Sequence, residues 1–199
     1  MEARGVPECR LDVVVVGVTD SEASERAREW TAHVVADGGT IHLVAAVRPT
    51  VELAVAAIQI DSSRLVSERR QMVAEIERGV HGLIASLGKE VETETHVVED
   101  IPADAILGVA DQVGADLVVL GAHEQIFEHP KLIGRTVTDV LHGSRVPIAI
   151  VGKRHAADRF DTGSIVVGVG SGPATEVALA WSAALADRRQ AGLTLVRAV

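Results

Sequence analysis

Aromatic side chains are nearly absent from this 199-residue chain: it has no Tyr, two Phe and two Trp, 2% in all. With hydrophobic residues at 47%, the core must be built from Val, Leu, Ile and Ala. That composition suits parallel strands buried on both faces. The single cysteine, Cys9, excludes an internal disulfide framework and fits a reducing compartment. Lying just before the first apolar run, it reads as a bystander, not a redox sensor. No apolar run approaches the roughly 18 residues of a membrane helix, and the opening MEARGVPECR is too polar for a signal peptide. The expectation is a soluble cytoplasmic protein with no membrane partner. Net charge is −9 and the pI about 5.3, which argues against a nucleic-acid partner held by an overall basic surface. A local basic pocket is compatible with both values.

The chain opens the same way twice. Residues 14–32 read VVVGVTDSEASERAREWTA and 165–183 read IVVGVGSGPATEVALAWSA, with nine of nineteen positions identical, among them Gly17/Gly168, Glu25/Glu176 and Trp30/Trp181. With one inserted residue, IHLVAAV (41–47) also lies over LTLVRAV (193–199). A period near 150 residues means domain duplication, not a solenoid, whose periods run to roughly 20–50. The expected organisation is a complete domain over 10–152, a polar linker over 153–163, and a partial second copy, strand–helix–strand only, over 164–199.

Strands are expected at 11–18, 40–47, 90–98, 115–122 and 146–152. Helices are expected at 21–36, 62–87, 102–113 and 134–144. Ser21 is a plausible N-cap and Gly38-Gly39 a stop; Pro102 suits a first helical turn. The long helix should bury a face of Leu65, Met72, Ile76, Val80, Leu83 and Leu87. Residues 90–98 alternate as an edge strand does, and 48–60 fits an apolar loop or a short helix. Strands separated by helices imply a parallel sheet with right-handed crossovers. Ligands of such sheets sit at the carboxyl ends of the strands, where the order reverses: here Thr19–Ser21, 47–49 and 121–124.

Ordinary explanations cover the remaining features. Trp30 and Trp181 fall mid-helix on apolar faces and read as core. Asp20, Ser21 and Ser24 read as helix capping, not as a nucleophile. His123, His129, Glu124 and Glu128 match no metal-ligand spacing, so no metal is expected. The acidic run 90–100 reads as a solvated strand face. No paired carboxylates or Ser/His/Asp ordering marks a catalytic residue.

The segments VVGV…SEAS…A…W (15–30), IPADAIL…GADLVVLGAH (101–123) and GRTVTDVLHGSRVPIAIV (134–151) resemble the universal stress protein family, in particular its tandem-domain members. The resemblance implies a five-stranded parallel sheet with helices on both faces, Rossmann-like and akin to the adenine nucleotide alpha hydrolases. It also implies a stress-response regulatory role. Many members bind ATP at a loop with the pattern Gly, two residues, Gly, nine residues, Gly, then Ser or Thr. Here the positions hold Gly121, Glu124, Gly134 and Arg135, followed by Thr136. The spacing survives and two of the four residues do not. Thr19 stands where the family tends to have Asp.

The implied cofactor is ATP, with Thr19, Val47, Gly121, His123, Glu124, Gly134, Arg135 and Thr136 as its binding residues. Glu124, if turned inward, would oppose a triphosphate; at 4 Å and an effective dielectric near 20 the repulsion is roughly 4 kcal/mol, about a thousandfold in affinity. Arg135 could supply a bidentate phosphate contact instead, or pair with Glu124 and fill an empty site. Three functional classes stay open: an ATP-binding regulator, a module that has lost nucleotide binding and acts by dimerisation, and a slow ATP hydrolase. The apolar strand 146–151 would be a bare edge, so a homodimer or an internal pseudo-dimer through it is expected.

Overall fold

The computed structural model describes residues 11–47, 62–122, 134–152 and 163–197, with backbone alone for 62–66. Cys9, the stretch 48–60, and the residues His123, Glu124, Glu128 and His129 lie outside the described residues. The chain divides into two units, Leu11–His155 and one that holds Ala156–Val199.

In the first unit, β1 (Val13–Gly17), β2 (Thr40–Val47), β3 (Glu92–Glu99), β4 (Leu117–Gly121) and β5 (Ile148–Val151) form one parallel sheet in the order β3-β2-β1-β4-β5. Val14, Val15, Val16, Val118 and Val119 are fully buried. Parallel strands covered on both faces need such β-branched runs. Helix α1 (Glu22–Val34) packs on β4 and β5, and α2 (Ser62–Ser86) on β2 and β3. Helices α3 (Pro102–Val113) and α4 (Arg135–Gly143) pack on each other. Their Ile106, Val109, Val137 and Val140 share one core with Val15, Val44 and Val118 of the sheet.

Local chemistry sets the element ends. The Ser21 hydroxyl accepts from the Ser24 amide at 3.2 Å and caps α1. Gly114, at φ +65°, closes α3 in the left-handed conformation that favours glycine. The Asp116 carboxylate accepts from the amides of Asp12 and Val13 at 3.1 and 3.0 Å, tying the entry of β4 to that of β1.

Two details differ from expectation. The buried line of α2 is Val73, Val80 and Ile84, while Met72, Ile76, Leu83 and Leu87 flank it half-buried. Trp30 and Trp181 are half-buried, not core; the positions of α1 that are fully buried carry small residues such as Ala23 and Ala27.

In the second unit, β6 (Ile165–Gly168) and β7 (Leu193–Val196) pair in parallel, and α5 (Pro173–Arg189) packs on both.

Candidate functional site

The strand order reverses between β1 and β4, because β1 continues to β2 on one side and β4 lies on the other. Side chains and loops diverge there and leave a crevice. A cleft of about 870 Å³ occupies it, bounded by the carboxyl ends of β1, β2 and β4 and the starts of α1, α3 and α4. Its volume lies in the range of small-molecule and cofactor sites.

Six of the expected residues, Thr19, Val47, Gly121, Gly134, Arg135 and Thr136, line this one cleft. Thr19 follows β1: its amide donates to Ser24 Oγ at 3.0 Å and its hydroxyl contacts Ser21 Oγ at 2.9 Å. The hydroxyls of Ser21 and Ser24 thus hold the β1–α1 turn in shape. Arg28 Nη1 donates to Ser24 Oγ at 3.2 Å. Burial lowers the pKa of the Arg28 guanidinium, against the opposing pull of Glu25, Glu29 and Asp20.

The two glycines differ physically. A Cβ on Gly121 would stand 2.0 Å from the carbonyl oxygen of Ala23. Gly121 therefore lets the first turn of α1 press onto the end of β4, a requirement of the fold itself. Gly134 is the N-cap of α4 at φ −54°, which any residue adopts, and a Cβ there would meet no described atom within 4 Å. Among the described residues, neither backbone nor packing calls for glycine at 134.

Helix α4 starts without a side-chain cap, and its first intrahelical amide bond is from Thr138 to the Gly134 carbonyl. The residues of the first turn line the cleft, and the amides of a first helical turn lack intrahelical partners, the arrangement that favours anions. Arg135 is 92% exposed and reaches Asp139 at 3.5 Å, one turn on. The walls also include Val44 and Ala46 of β2 and Glu68, Arg69 and Met72 of α2. Sequence reasoning missed this contribution of α2. A signal existed in the Glu68-Arg69-x-x-Met72 spacing, one helical turn of polar and apolar groups, but the 14 residues from 48 to 61 separate it from β2.

The universal stress protein family model matches residues 11–152. The chain belongs to the universal stress protein family. Solved universal stress proteins share its fold. One from Archaeoglobus fulgidus DSM 4304 is 16% identical with TM-score 0.72, covering 94% of this chain and 67% of that one. A protein of the family from Burkholderia pseudomallei is 18% identical with TM-score 0.56, covering 71% and 96%. Universal stress protein UspA from Lactobacillus plantarum is 18% identical with TM-score 0.52, covering 71% and 98%. At these identities the likeness is one of fold, and it accords with the universal stress protein sheet order found here. Among the described residues, no helix is long and apolar enough to cross a membrane.

Proposed function

We propose that this universal stress protein is a regulatory binding protein whose ligand is an adenine nucleotide, ATP in the first instance, held in the cleft at the switch point. The observation that carries the reading is the pairing of Gly134 with the uncapped start of α4. A glycine that neither backbone nor packing requires among the described residues, at a helix N-terminus lining a cleft, is what close phosphate approach would select. In this reading Val44, Ala46 and Val47 offer an apolar wall to the base. Thr19 lies at the sugar end of the cleft. The amides of Arg135 and Thr136, with the Arg135 guanidinium, meet the phosphates. Gly121 is structural, and His123 and Glu124 are contacts proposed from the segment that follows β4 in the sequence.

The cleft is built for binding more than for turnover. Its described walls carry the carboxylates of Asp20 and Glu68 and the guanidinium cations of Arg69 and Arg135, and no histidine or cysteine. The test is a calorimetric ATP titration at fixed magnesium, paired with a phosphate-release assay. Native protein should bind and release phosphate negligibly. Gly134→Val should lose at least about tenfold in affinity with its melting temperature kept. Glu124→Gly should tighten binding, by up to about a thousandfold if the carboxylate faces the phosphates. If native chain and Glu124→Gly both fail to bind ATP, the cleft is not a nucleotide site. The dimerisation reading then takes its place, favoured by an edge strand β5 that carries Ile150 at 37% exposure.

A further inference from the structure

A second constellation lies on the sheet itself. His42 on β2 stands in register with Glu94 on β3, and His96 is two residues further along β3, level with Val44. Alternation along a strand puts all three side chains on one face of the sheet. His42 Nδ1 lies 3.1 Å from His96 Nε2 and 3.3 Å from a Glu94 carboxylate oxygen, and that oxygen lies 4.0 Å from His96 Nε2. The circle through three points with these separations has a radius of about 2.1 Å, the length of a zinc–nitrogen or zinc–oxygen bond. The point at that distance from all three atoms lies in their plane, with the Glu94 oxygen and His96 Nε2 about 155° apart across it, so a tetrahedral metal needs the Glu94 or His96 side chain to rotate while the strands stay in place.

The surroundings suit the same chemistry. His42 is 6% exposed, His96 half-buried and Glu94 exposed, so the point has a protein side and a solvent side. An imidazole nitrogen without its proton offers a lone pair to a metal. Two imidazoles and a carboxylate with one position left open are the donor set of three-ligand zinc sites. All three residues come from β2 and the edge strand β3.

We propose that His42, Glu94 and His96 form a site for a borderline divalent transition metal, zinc(II) first, that clamps β3 to β2. Water fills the remaining position on the solvent side. The clamp holds an edge strand that has one neighbour in the described sheet.

The test uses the full chain, stripped with a chelator and checked by elemental analysis. Zinc(II) is titrated calorimetrically, and cobalt(II) is added as an optical probe. The expected result is one equivalent bound at this site, the intense visible bands of four-coordinate cobalt, and a higher melting temperature with zinc. His96→Ala should weaken that equivalent at least about a hundredfold, since even groups behind the metal ligands are worth 10–100-fold. Glu94→Gln should weaken it as well, and His142→Ala should not. Should His96→Ala fold poorly, His96→Gln and Glu94→Gln carry the comparison, each with its metal-free melting temperature measured. A chain that takes up no saturable equivalent overturns the proposal. So does an equivalent that survives His96→Gln and Glu94→Gln unchanged, which would place the metal on other histidines.

Discussion

The ammonium of Lys89 donates to the carbonyl oxygens of Ala32, His33 and Val35 at 3.0, 2.7 and 3.0 Å. These carbonyls end α1, where the helix dipole is negative and the last acceptors lack intrahelical donors. The chain has three lysines, and this one stitches the turn after α2 to the end of α1. Lys89→Met keeps the aliphatic stem and removes the charge. It should cost about 2 kcal/mol, from charge-assisted hydrogen bonds worth about 1.5–3; a denaturant midpoint with an unchanged slope would measure it. A midpoint equal to that of the native protein would mean that water serves the three carbonyls equally well. Gly121 and Gly134 give a second contrast at the same scale. With backbone atoms of Ala23 2.0 and 2.3 Å from its new methyl, Gly121→Ala should lose about 2 kcal/mol or more, as overpacked cores do. Gly134→Ala should stay within about 0.5 kcal/mol, as surface changes do. Thermal melts of the two variants side by side decide whether the shared loop pattern mixes a folding glycine with a binding one.

At the scale of elements, β1, β2 and β4 were legible because buried parallel strands spell themselves out as apolar runs, β3 because its sequence alternates, and the start of α3 because Pro102 suits a first helical turn. The cleft was legible too: Thr19, Val47 and Gly121 follow from strand ends and the switch-point rule, and Gly134 from the family's loop pattern. What local sequence could not supply was register. The clustering of His42 with Glu94 and His96 depends on how β2 slides along β3, a pairing across 52 and 54 residues of chain. The buried line of α2 was misplaced for a related reason. Its apolar positions spread over more than one face, and only the surfaces of β2, β3 and α1 select Val73, Val80 and Ile84. Edge strand β5 yields a prediction at this scale. It pairs with β4 alone among the described strands, and Ile150 is exposed. We expect self-association through it, so Ile150→Lys should lower the weight-average mass in sedimentation equilibrium without lowering the melting temperature of a monomer. An unchanged mass would leave β5 as an edge protected by its brevity.

For the whole molecule, the second unit poses the sharper energetic question. Eight of the nine identities between 14–32 and 165–183 fall on the same elements, β1 and β6 as strands and α1 and α5 as helices, and the ninth, Val18/Val169, directly follows the strands. We propose that 164–199 repeats the opening strand–helix–strand of the family domain. The equivalents behave differently, though. Val14, Val15 and Val16 are fully buried, whereas Val166 is 62% and Leu195 56% exposed, and the buried residues of β6, α5 and β7 are Val167, Ser182 and Ala186. By themselves, two strands and one helix that bury so little apolar surface fall below the roughly 40 residues at which domains generally fold without a staple or a partner. A β-rich apolar face left open also tends to find a partner. Hydrogen exchange separates the possibilities. The amides of Val167 and Leu195 should exchange by local opening, far faster than those of Val15 and Val119, when the protein is dilute. If chains cover one another's second units, protection at Val167 and Leu195 should rise with protein concentration, while Val15 stays unchanged. Val166→Lys, placed on the exposed face of β6, should abolish the rise. Protection at Val167 that matches Val15 at every concentration would refute the argument and make the second unit stable without a partner chain.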